Sequence, residues 1–122
     1  MIRGVHTMFY SSEADELRTF IREKLQFPFS DVGHGWLIFD LPEADMGCHP
    51  AGPEEGARPG THDISFYCDD LDQTIAELQG RGVEFVGGIV DAGFGRVTHF
   101  KMPGGVEVQL YQPRYAKRSD AG

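Results

Sequence analysis

Five histidines, two cysteines and one strand-like segment bearing a carboxylate, an amide and a phenol on alternate residues are where this sequence could do chemistry. The histidines are His6, His34, His49, His62 and His99. A neutral imidazole binds Fe, Mn, Ni, Co or Zn, and it carries protons near neutral pH. The segment Val106-Glu107-Val108-Gln109-Leu110-Tyr111 alternates strictly. A strand of that pattern puts Glu107, Gln109 and Tyr111 on one face and the three apolar residues on the other. A glutamate on an otherwise apolar strand carries a desolvation cost if it is buried unpaired, which favours a ligand role over decoration; the plainer alternative is an exposed strand face. Taken singly, a strand histidine is more often a satisfied, partly buried residue than a ligand. His34 lies between two glycines and reads as a turn residue. His99 either lines a cavity or lies at a strand surface, and His49, just before Pro50, is either a loop residue or a ligand. Cys48 and Cys68 lack the paired spacing of a zinc knuckle and read as small buried fillers.

The elements that must position these residues are well punctuated. Residues 3–10 are rich in β-branched and aromatic side chains and read as a strand. Ser11-Ser12 offers a hydroxyl N-cap, acids follow, and Leu17, Phe20, Ile21 and Leu25 recur at helical spacing, so a helix is expected over 13–25. Strands are expected at 36–41 and 46–49. Pro50 to Gly60 contains three prolines and three glycines and reads as a linker. A strand over 61–67 follows, then a helix capped by Asp69-Asp70 and running to about Leu78. Strands are expected at 83–86, 96–101 and 106–111, with a glycine-rich connection over 87–95 and a turn at 102–105.

Composition narrows the class. At 122 residues the chain suits one domain, with 40% hydrophobic and 25% charged residues, as in soluble globular proteins. A net charge of −8 argues against nucleic acid, because phosphate binding needs clustered Lys and Arg. No apolar run is long enough for a membrane span. The N-terminus has no basic-then-apolar export pattern, and two cysteines make no disulfide framework, so a reduced cytoplasm is the expected location.

The order is strand, helix, strands; linker; strand, helix, strands, which is an internal repeat. At an offset of 56, His6 falls on His62, Glu13 on Asp69, Phe27 on Val83 and Phe29 on Phe85. A strand opening with His, an acid seven residues on, a helix and then a second copy resembles the vicinal-oxygen-chelate superfamily of glyoxalases, bleomycin-resistance proteins and extradiol dioxygenases. Phe100 to Tyr111 looks like its last two strands and their Pro-Gly turn, and His62 to Leu71 like its fifth strand and second helix start.

The resemblance spans residues 2–113 and implies an α+β fold of two tandem βαβββ modules, a curved mixed sheet around a central cavity. Module 1 would be about 2–50, the linker 51–60, module 2 about 61–113, and 114–122 a tail. It also implies a divalent metal held from the first, fifth and eighth strands, here by His6, His62 and Glu107. Counted from the Pro-Gly turn as in commoner members, the third position falls instead on Gln109. Since a glutamine would hold a divalent cation more weakly, Glu107 is preferred, and it doubles as the candidate catalytic base. His49, Gln109 and Tyr111 are the substrate-binding candidates. The implied function is metal Lewis-acid chemistry, glyoxalase-, epimerase- or dioxygenase-like, on a small substrate with adjacent oxygens. The alternative is a non-catalytic, dimeric drug-binding protein, and a homodimer is expected in either case.

Overall fold

The computed structural model describes residues 6–41, 43–44, 47–48 and 50–115. Helix α1 covers Ala14–Phe20 and continues as a π-helical turn over Ile21–Leu25, closed by Gln26 in the left-handed conformation. The expected helix over 13–25 is therefore present, with a widened last turn in which the Gln26 N–H reaches the Ile21 carbonyl at 2.8 Å. Its N-cap is Glu13 rather than a serine. Ser11 Oγ instead accepts from the Glu13 N–H at 3.0 Å and donates to the Pro103 carbonyl at 2.8 Å, so the hydroxyl ties the helix start to a distant turn.

A short antiparallel hairpin follows, β1 (Phe29–Asp31) and β2 (Leu37–Phe39), with Phe29 opposite Phe39. His34 sits in its loop at φ 55°, the turn position expected from its flanking glycines. Residues 6–10, expected as strand, form no ladder, and neither do Gly47 and Cys48; Met46 and His49 lie outside the described residues. A strand is defined by its partner, and among the described residues nothing pairs with these segments. The linker is irregular apart from a 3-10 turn at Pro53–Glu55.

The second half forms a complete βαβββ unit. Strand β3 (Ser65–Tyr67) leads into α2 (Leu71–Gly80), and β4 (Phe85–Asp91), β5 (Gly95–Met102) and β6 (Val106–Pro113) follow. The sheet order is β3-β6-β5-β4, with β3 parallel to β6 and the other pairs antiparallel. Asp70 caps α2, its side chain accepting from the Gln73 N–H. The glycine-rich stretch expected as a connection is mostly strand: β4 runs on through Gly87 and Gly88 with a register shift between Val86 and Val90. Glycine tolerates such a bulge, and composition alone reads it as loop.

Both helices contribute to one core. Leu17, Phe20 and Ile21 join Leu71 and Leu78 over the sheet residues Phe100, Met102, Val108 and Leu110. These sheet side chains share one face, so α1 and α2 leave the other face of β3, β6 and β5 uncovered by helix. The longest helix has ten residues, and among the described residues no helix is long and apolar enough to cross a membrane.

Candidate functional site

The uncovered face is built by register. Ser65 lies opposite Gln109 and Tyr67 opposite Tyr111 across the β3–β6 pair. Val97, His99 and Lys101 lie opposite Tyr111, Gln109 and Glu107 across the β5–β6 pair. Directly paired residues project to the same side, so these eight side chains form one surface. Alternation along β6 places Glu107, Gln109 and Tyr111 together, as the sequence predicted.

Gln109 holds the middle of that surface, between Ser65 and His99. Its Nε2 donates to Ser65 Oγ at 3.1 Å, which fixes the amide and leaves its oxygen as an acceptor. Glu107 is exposed, nearer the turn. At the other end Tyr111 is buried, with its ring edge-on to Phe94 at 5.5 Å and tilted against Tyr67 at 6.2 Å. Its hydroxyl lies 2.9 Å from that of Tyr115, and the Tyr67 hydroxyl donates to the Glu43 carboxylate. Ion pairs brace the rim. Arg114 pairs with Asp91, and its guanidinium, together with the Gly93 N–H, holds that carboxyl below its ordinary range. Lys101 pairs with Glu84 at 3.6 Å.

The predicted metal ligands are not gathered in this way. His6 and His62 are exposed and outside any strand, and His49 lies outside the described residues. Among the described residues no group of three or more His, Cys, Asp and Glu side chains is placed to hold a metal ion. What the sequence reading missed is the rest of this surface and its flank: Ser65, Tyr67, Phe94, Tyr115 and Glu43. Alternation over 61–67 could have found the first two. Phe94 and Glu43 reach the site through tertiary packing, and Tyr115 through the local turn that follows β6.

Cys68 follows β3, half-buried, with Sγ 3.8 Å from the Tyr111 carbonyl oxygen. Burial pushes its thiol pKa up, and the charges of Asp69 and Asp70 add to that, against a lowering hydrogen bond with Thr74.

Comparison with known proteins agrees with this architecture. The family model described as Glyoxalase/Bleomycin resistance protein/Dioxygenase superfamily matches residues 3–110. Among solved structures, the chain is similar to TnmS3, an antibiotic-binding protein from Streptomyces sp. CB03234. Identity is 25% and the TM-score 0.60, over 93% of this chain and 99% of that one. A superfamily member from Sphaerobacter thermophilus DSM 20745 is 26% identical, with TM-score 0.59, over 90% and 97% of the two chains. A glyoxalase/bleomycin resistance protein from Streptomyces sp. CB03234 is 27% identical, with TM-score 0.54, over 84% and 93%. No curated protein matches the sequence. With a family match over nearly its whole length and the fold to accompany it, the chain belongs to the glyoxalase/bleomycin resistance protein/dioxygenase superfamily.

Proposed function

We propose that this protein binds a small aromatic molecule on the uncovered sheet face, as a homodimer and without catalysing a reaction. One observation carries the reading: the centre of that face is a neutral amide, Gln109, held by Ser65, beside aromatic walls from Tyr67, Tyr111 and Phe94. Such a surface stacks a ring and orients it with a few polar groups, which is what reversible recognition needs. The similarity to an antibiotic-binding protein points the same way. The dimer is supported by exposed apolar surface. Phe29, Val32, Trp36 and Ile38 of the hairpin and Val90 of β4 are among the chain's exposed large apolar residues. The two free cysteines suit a reducing cytoplasm.

A metal-dependent enzyme is the second reading, and the β3–β6 pair favours it. The strands are parallel, so His62, ahead of β3, and Glu107, at the start of β6, lie toward the same end. There a His6 from this chain or a second one would complete the set with His62 and Glu107, and Glu107 would be the base. Thermal melting of chelator-treated protein with a panel of aromatic antibiotics separates the two. Binding without metal predicts stabilisation of several degrees that survives chelator and the His62→Ala change but is lost in Gln109→Ala. About one metal ion per chain, lost in His62→Ala, with no metal-free stabilisation by any antibiotic, would overturn the binding reading in favour of the enzyme.

A further inference from the structure

Gln109 stands at the middle of the uncovered face with most of its amide unspent. One N–H goes to Ser65 Oγ at 3.1 Å, and Gln109 makes no other side-chain hydrogen bond with a described residue. His99, its partner across the β5–β6 pair, makes none. A side-chain amide carries two N–H donors and a carbonyl oxygen. One donor and the oxygen are therefore left to a ligand, and Ser65, on the neighbouring strand, keeps the amide from turning freely. The aromatic surface beside it belongs to Tyr67 and Phe94. Tyr67 is half-buried and stands two residues along β3 from Ser65, about 6.6 Å away. Phe94 is 45% exposed. Tyr111 is buried and backs both rings, at 6.2 Å from Tyr67 and 5.5 Å from Phe94.

A ring laid on this face takes the Gln109 amide out of water. If it offers only carbon there, a donor and an acceptor are both left unpaired, which costs more than the hydrogen bonds themselves are worth. A site centred on a polar group therefore rejects ligands that lack its complement. The complement of an amide is a donor and an acceptor on neighbouring atoms, the arrangement by which glutamine reads a heterocycle edge. Resting on the sheet-face reading, we propose that the ligand is a planar, fused heteroaromatic molecule with a lactam edge. Its N–H donates to Gln109 Oε1, its carbonyl accepts the remaining Gln109 N–H, and its second ring lies against Tyr67 and Phe94. The spacing of Tyr67 from Ser65 suits two fused rings better than one.

The test uses full-length, chelator-treated protein and bicyclic probes. 2-Quinolone carries the lactam edge; N-methyl-2-quinolone and quinoline lack its N–H. In calorimetric titration 2-quinolone should bind about tenfold more tightly than either, the effect of one hydrogen bond whose partner is otherwise left unpaired. Gln109→Leu should weaken 2-quinolone about tenfold and leave the other two within about twofold, so the preference disappears while ring binding remains. Ser65→Ala, which frees the amide to turn, should narrow the preference to about threefold without changing the affinity for quinoline. Equal binding of the probes by the unmodified protein, or a preference that survives Gln109→Leu, would overturn the lactam assignment. Binding of an aromatic antibiotic without any binding of 2-quinolone would overturn it too, and would leave the sheet-face reading standing. If no aromatic molecule binds without metal, the sheet-face reading falls and the lactam preference falls with it.

Discussion

Gly104 is the residue on which the two halves of the chain turn. Its φ of +84° already disfavours a side chain, and an added Cβ would come 1.7 Å from Ser11 Oγ and 2.8 Å from the Glu13 nitrogen. Its own N–H donates to the Glu13 carboxylate at 3.0 Å, while Ser11 bonds the neighbouring Pro103 carbonyl. The start of α1 is thus seated on the β5–β6 turn. Gly104→Ala should cost roughly 2–3 kcal/mol, combining left-handed backbone strain with a displaced hydrogen bond. Gly105→Ala, at φ +78° but facing open space, should cost only the backbone share, about 1 kcal/mol. Chemical denaturation of the two variants side by side tests this, and equal losses would mean that the Ser11 seat contributes nothing.

At the scale of elements, the two helices start by different means. Asp70 caps α2 in the ordinary way, its Oδ1 accepting from the Gln73 N–H at 3.1 Å, and the Leu71 N–H is taken by Gln112 Oε1 at 2.9 Å. Helix α1 has no side-chain cap on its own residues and relies on the distant turn. Asp70→Ala is therefore expected to cost about 1 kcal/mol and to speed hydrogen exchange over 71–74 ahead of the β5–β6 ladder. The helix spans and the alternation of β6 were legible in the sequence because each follows from local periodicity and capping chemistry. The extent of β4 was not. Gly87, Gly88 and Ile89 look like a loop by composition, and they are strand because Val86 and Val90, on either side of the register shift, pair with β5. Of the first expected strand, over 3–10, residues 3–5 lie outside the described residues, and residues 6–10 have strand composition without a described partner.

For the whole molecule, the exposed apolar side chains are the main clue: Phe29, Val32, Trp36 and Ile38 of the hairpin and Val90 of β4 stand open in the single chain. Light scattering should give 27.2 kDa, twice the 13.6 kDa chain. Val32→Asp, at a position 66% exposed in the single chain, should shift the protein toward monomer without unfolding it. A wild-type mass of 13.6 kDa at micromolar concentration would remove the dimer and leave the exposed hairpin to be explained.

By itself the sequence determined the superfamily, the two helices and the side of β6 on which Glu107, Gln109 and Tyr111 stand, because periodicity and turn chemistry act over a few residues. The tertiary structure decided what surrounds them. Whether His6, His62 and Glu107 meet depends on how distant segments pack, and no pattern within a strand encodes that. The same holds for Gln109 between Ser65 and His99, and for the Tyr67–Glu43 and Tyr111–Tyr115 contacts. Their partners are 24 residues away in one case and four in the other, and only the folded chain brings them to one surface.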